Sequence, residues 1–182
     1  METDSIKIFP ANEIANQESL VNKLIEIDRV CYGEIDEKDE GSGEYWNEIA
    51  PALLGFVAVK DGEPVGYIDF VILNDFGVEK VKTGLLRDGE LKNFVELKHN
   101  DNEINLNFVS AAILSEYRKN GLGQKLLNFA FNYFKEKNLK IKNIYATIWT
   151  PAGHAFMSKF NYKVIAKDPQ GREVVVMEIG DF

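Results

Sequence analysis

Arg118, Lys119, Gly121 and Gly123 stand in one short run, and together they suit an anion. The two cations supply full charges, and glycine lets a backbone N–H approach a ligand closely. If a helix begins here, its first N–H groups have no partner inside it and carry partial positive charge. A phosphate can sit on them. From Gly-x-Gly alone, an ordinary turn with solvated basic residues would read the same way. Spacing excludes two phosphate loops. A Walker loop needs Gly, four residues, then Gly-Lys-Ser/Thr, and a dinucleotide fingerprint needs a third glycine where Leu126 stands.

The flanking stretches supply elements to position that run. Residues 104–114 begin with alternation and end continuously apolar, as a strand covered on both faces at one end would. After the glycines, Leu122, Leu126, Ala130 and Tyr133 recur at helical spacing, with Leu127, Phe131 and Phe134 widening the stripe. Gln124, Lys125, Asn128, Asn132 and Lys135 fall on the other side. An apolar strand therefore feeds a helix through a basic, glycine-containing loop.

The run Ile113-Leu114-Ser115-Glu116-Tyr117-Arg118-Lys119-Asn120-Gly121-Leu122-Gly123-Gln124-Lys125-Leu126-Leu127 closely resembles the acetyl-CoA motif of the GNAT N-acetyltransferases. That motif has an apolar strand end, a short linker, then Arg/Gln-x-x-Gly-x-Gly/Ala opening a helix. Arg118, Gly121 and Gly123 occupy its fixed positions. The resemblance covers 50–73 and 104–182 well and the rest loosely. It implies an α/β fold: a mixed, mostly antiparallel sheet, splayed at the cofactor strand, with helices on both faces. It implies transfer of an acetyl group from acetyl-CoA to a primary amine of a small molecule or peptide. It further implies that the backbone of Ala111, Ala112 and Ile113 pairs with the pantetheine arm and stabilises an oxyanion. Arg118, Lys119, Asn120, Gly121, Leu122, Gly123 and Gln124 would hold the pyrophosphate.

Amine acetylation needs a neutral amine, hence a base, and a thiolate that is often helped to leave by an acid. Here the chain departs from the family. Its short helix commonly ends Asn-x-x-Ala-x-x-Leu-Tyr-x-Lys-x-Gly-Phe. Aligned on Lys159-Phe160-Asn161-Tyr162, the Tyr falls on Met157, the Asn on Thr150 and the Gly on Asn161. Met157 has no proton to give, while Thr150 could still hydrogen-bond the cofactor. The mid-strand glutamate of some relatives falls near Asn107. Glu103 and Glu116 are the candidate catalytic carboxylates and Asp69 a third, though each reads more readily as a solvated surface charge. An acyl-CoA-binding regulatory module of the same fold without catalysis is the alternative. Tyr32, before an acidic run, could reach a substrate cleft. His99 and His154 lack metal-ligand spacing, so no metal is indicated.

The chain has 182 residues, 45% hydrophobic and 27% charged, which reads as one globular domain, 1–182, with an insertion at about 74–103. No apolar run approaches a membrane span. The start, Met1-Glu2-Thr3-Asp4, lacks the basic and apolar regions of a signal peptide, and the one cysteine, Cys31, precludes an internal disulfide. A cytoplasmic location is expected. The net charge of −8 argues against nucleic acid and favours a cationic, amine-bearing acceptor. Glu34, Asp36, Glu37, Asp39 and Glu40 could attract that cation, or form a solvated loop. Oligomeric state is left open, a homodimer being compatible.

In chain order, 6–9 reads as a strand, 13–30 as a helix started at Asn16 or Ser19, and 45–54 as a short helix stopped near Pro51. Residues 56–60 and 64–73 read as a hairpin across Asp61-Gly62. In 74–103 a second hairpin, 81–87 with 90–97, is preferred to a helix over 90–98. Then come a strand over 141–149, a short helix over 151–160 with Pro at its first turn, and strands over 162–167 and 173–179.

Overall fold

The computed structural model describes residues 6–33, 41–96 and 103–178. The acidic run Glu34, Asp36, Glu37, Asp39 and Glu40, and His99, lie outside the described residues. Among those described, strands β1 (Lys7–Pro10), β2 (Leu54–Lys60), β3 (Glu63–Leu73), β4 (Ile104–Ile113), β5 (Ile141–Ile148), β6 (Lys163–Lys167) and β7 (Glu173–Glu178) form one sheet. Its order is β1-β2-β3-β4-β5-β7-β6. β4 and β5 run parallel, while β1–β2, β2–β3, β5–β7 and β6–β7 are antiparallel. The helices are α1 (Gln17–Tyr32), α2 (Gly43–Ile49), α3 (Asp75–Lys82), α4 (Leu122–Glu136) and α5 (Pro151–Met157). This is the mixed, mostly antiparallel α/β architecture expected. Two compact units divide the chain: residues up to Phe70 with Ser110–Asn138, and Val71–Val109 with residues from Leu139 on.

In the first unit the hairpin turns where the sequence placed it. Asp61 (φ +52) and Gly62 (φ +84) are both left-handed. That suits a two-residue turn whose twist matches the strands, and Lys60 pairs with Glu63 across it. Alternation then sends neighbouring side chains of β2 to opposite faces. On one face Phe56 meets the rings of Phe70, Phe129, Tyr133 and Phe134 edge-on, at centroid distances of 6.5, 5.9, 5.3 and 5.5 Å. Leu126, Ala130 and Phe134 of α4 are buried there. On the other face Val57 and Tyr67 pack with Leu20, Leu24 and Ile27 of α1 and with Ala112 of β4. α1 starts at Asn16, whose side chain accepts the Ser19 N–H at 3.2 Å. It stops at Gly33, with φ +93. α2 starts at Ser42, and Pro51 lies in the 3-10 turn that follows it.

The second unit corrects the reading of 74–103. Among the described residues, 81–87 and 90–96 form no hairpin and 90–96 no α-helix; the segment holds α3 and a 3-10 turn at Asp88–Asn93. The Asn74 side chain accepts the Gly77 N–H at 2.9 Å, which caps a helix that buries Val78 and Val81 on one side. The strand-like residues beyond it pair elsewhere. Asn74 N–H donates to the Phe94 carbonyl and Glu96 N–H to the Ile72 carbonyl, both at 2.8 Å. Gly77 permits this, since a Cβ there would lie 2.9 Å from the Phe94 oxygen. The β4–β5 ladder runs from Ile104↔Ile141 to Phe108↔Ala146, and β4 continues past its last pair to Ile113. β6 and β7 form the expected hairpin. In its turn the Asp168 carboxylate accepts the Gln170 and Arg172 N–H groups at 2.9 and 2.8 Å.

Candidate functional site

After β4 the chain makes a 3-10 turn at Ser115–Tyr117, and Arg118 is extended. Lys119 (φ +62) and Gly121 (φ +74) then take left-handed conformations that aim the chain into α4. No described side chain caps this helix. Its first bond joins Lys125 N–H to the Gly121 carbonyl at 3.0 Å. The N–H groups of Leu122, Gly123 and Gln124 therefore precede the helical ladder. A Cβ built at Gly121 would meet nothing within 4 Å. The glycine is thus set by its φ and leaves open space beside the helix start. Arg118, Lys119, Asn120 and Gly121 are all exposed. An anion needs this arrangement: partially positive N–H groups, neighbouring cations, and no side chain in front.

The strand leading in is less free. Tyr32, the last residue of α1, donates its O–H to the Ala111 carbonyl. Arg118 folds back, donating from Nε to the Ile113 carbonyl at 2.6 Å and from Nη2 to Cys31 Sγ at 3.1 Å. Cys31 also faces the Ile113 carbonyl at 3.4 Å. Ala112 is buried in the core beneath α1. A Cβ at Gly66 would lie 2.9 Å from the Ala112 oxygen, so β3 approaches β4 as closely here as glycine allows.

Of the remaining candidates only Glu116 and Asp69 belong to the first unit. Thr150 accepts the Gly153 N–H at 3.0 Å and caps α5; its own O–H can still donate. Glu116 is exposed within the loop and accepts the Ser115 O–H at 3.2 Å. Glu103 is exposed at the start of β4, in the second unit, with Lys142 Nζ at 3.7 Å. Met157 and Asn107 are buried, at 4% and 5% exposure. His154 lies 3.8 Å from Glu173. Among the described residues no group of three or more His, Cys, Asp or Glu could hold a metal, and no helix is long and apolar enough to cross a membrane.

A polar cluster that residue spacing does not reveal lies on the α1 face of the first unit. Ser110 of β4 donates to Asp28 of α1 at 3.3 Å, and Tyr67 of β3 meets the Ser110 hydroxyl at 3.2 Å. Asp69, on β3, is only 8% exposed. Burial, and then the charge of Asp28, push its carboxyl from 3.8 up to about 8. Burial and Asp28 likewise hold the Tyr67 phenol well above its ordinary 10.0 and push Tyr32 up to about 12. The one sequence signal is Asp69 itself, a lone acid inside the apolar run Tyr67-Ile68-Asp69-Phe70-Val71-Ile72-Leu73.

Comparison with known proteins fits this geometry. The family described as "Acetyltransferase (GNAT) family" matches residues 21–162. The PaiA N-acetyltransferase of Thermoplasma acidophilum, solved with coenzyme A, superposes with TM-score 0.60 at 16% identity, over 96% of this chain and 99% of that one. A GNAT family acetyltransferase of Brucella melitensis, solved with acetyl-CoA, gives 0.59 at 15% identity, over 98% and 91%. A GNAT family acetyltransferase of Staphylococcus aureus Mu50 gives 0.62 at 18% identity, over 97% and 100%. At such identities the likeness is one of fold. No curated protein sequence matches the chain.

Proposed function

From the premise that this chain belongs to the GNAT acetyltransferase family, we propose that it moves an acetyl group from acetyl-CoA to a primary amine of a small molecule or peptide. The observation that carries this reading is the uncapped start of α4 behind an exposed Gly121 with open space beside it. The diphosphate of the donor sits on the N–H groups of Leu122, Gly123 and Gln124, with Lys119 and Asn120 beside it. Arg118 joins them once it exchanges the Ile113 carbonyl for a phosphate oxygen. The carbonyls of Ala111 and Ile113 accept the pantetheine amides when Tyr32 and Arg118 release them, and the amides around Ala112 lie beside the thioester. The chain acts as one domain in the cytoplasm, with 74–103 as an insertion. Of the carboxylates that the sequence offers as a base, Glu103 and Glu116 are surface groups with partners of their own.

One observation favours a second reading. Met157 and Asn107 are buried, and the resemblance puts the family's common tyrosine at Met157 and the glutamate of some relatives near Asn107, so an acyl-CoA-binding regulatory module would need nothing more than the loop. Isothermal titration with acetyl-CoA should give saturable heat, and Gly123→Glu should abolish it while leaving the far-UV spectrum unchanged. Unaltered affinity in that variant would remove the diphosphate from this loop. Release of free CoA thiol on adding amines separates enzyme from module.

A further inference from the structure

We propose that Asp28 and Asp69 form the seat of the acceptor's ammonium group and that Asp69 takes its proton. The inference rests on the acetyl-transfer reading and names the substrate class: an alkyl amine that arrives charged.

Three observations lead there. First, Asp69 is only 8% exposed and no described residue donates a hydrogen bond to it; since no fully buried side-chain oxygen among the described residues lacks a partner, its carboxyl oxygens keep contact with solvent. Second, the strand beside it is cut back to make room: a Cβ at Gly55 would lie 2.6 Å from Asp69 Oδ1. Third, the charge of a second acid, Asp28, acts on Asp69 within the same cluster. Asp28 comes from α1, Tyr67 shares its strand, Gly55 lies on β2 and Ala11 follows β1. Ser110 donates to Asp28 and fixes it. Two acids of one cluster whose charges act on each other, one with no described donor, are a poor structural device and a good cation seat. Tyr32, 43% exposed, lies at the solvent side of the same cluster, and its O–H reaches the Ala111 carbonyl of the strand assigned to the thioester. Every residue of the cluster belongs to the first unit.

The chemistry balances with acetyl-CoA as the named co-reactant. With the seat empty, Asp69 is mostly protonated at neutral pH. An arriving R–NH3+ favours its ionised form, and that proton leaves to solvent. The Asp69 carboxylate then takes one proton from the ammonium. The freed lone pair forms the N–C bond at the thioester carbon, and the C–S bond breaks. The second nitrogen proton passes to the leaving thiolate, giving amide and CoA thiol.

The test uses the full chain with 1,4-diaminobutane as probe and 1,4-butanediol as its uncharged match. By carbon NMR, the wild-type Asp69 carboxyl should titrate near pH 8, and saturating diamine should lower that midpoint while the diol leaves it in place. Asp69→Asn should bind acetyl-CoA as the wild type does, yet lose about a hundredfold in kcat/KM for the diamine. Two results overturn the proposal: a midpoint that the diamine does not move, or Asp69→Asn within about threefold of wild-type kcat/KM, a fraction of the span general-base loss covers. Failure of the wild type to bind acetyl-CoA would sink the acetyl-transfer reading instead. The NMR arm needs no cofactor and no variant, so it decides on the seat even then, or if Asp69→Asn does not fold.

Discussion

At the scale of single residues, Asp69 ties the proposed chemistry to stability. Its carboxyl keeps a proton in the folded chain up to about 8, where an unfolded aspartate releases it near 3.8. The native state therefore binds more protons than the unfolded one across that interval. By linkage its stability is greatest at the acid end and falls as pH rises towards 8, by at most about 1.4 kcal/mol per pH unit for one proton. Above that window the contribution is flat. Asp69→Asn cannot ionise, so its urea-unfolding free energy should lack this slope. The gap between the two proteins should move in the variant's favour between about pH 5 and about pH 8, the window set by the shifted carboxyl. Parallel stability curves for the two proteins would mean that Asp69 is ionised in the native state, and the raised carboxyl would have to be given up.

At the scale of elements, α3 shows how a cap decides structure. Asn74→Ala removes the acceptor for the Gly77 N–H. It should lower unfolding free energy by about 1 kcal/mol, and Asn74→Asp should restore most of that. Equal stability of the three proteins would show that tertiary packing alone holds the helix. This helix also marks where the sequence was hard to read. With eight residues, it offers only Val78 and Val81 as an apolar repeat, too few to set a helical period. Residues 94–96, which look like a hairpin arm, find their partner at the end of β3, a pairing that no local pattern encodes. The β2–β3 hairpin was legible because Asp61-Gly62 meets a backbone demand that few dipeptides meet. α4 was legible because its stripe is long and its first turn follows glycines. The candidate site divides the same way. Its anion loop is contiguous in sequence, so spacing revealed it. The Asp28, Tyr67, Asp69 and Ser110 cluster is assembled from three separate elements and appears only when the chain is folded.

At the scale of the whole molecule, charge sets how substrates arrive. The chain has 29 acidic and 21 basic side chains, a formal net charge of −8. Its long-range field attracts cations, and a dication feels it more strongly than a monocation. That field is screened within about 10 Å at 0.1 M salt, whereas a short contact inside a buried seat is screened far less. Salt therefore separates approach from docking. With acetyl-CoA saturating, kcat/KM for 1,4-diaminobutane should exceed that for butylamine at low salt, and the ratio should shrink several-fold as salt rises past about 0.1 M. The kcat values, set after the amine is seated, should stay nearly constant over the same range. Steady-state thiol release at a series of salt concentrations measures both. A ratio indifferent to salt would mean that the −8 is spread without reference to the acceptor's route, and selection for a cation would then rest on Asp28 and Asp69 alone.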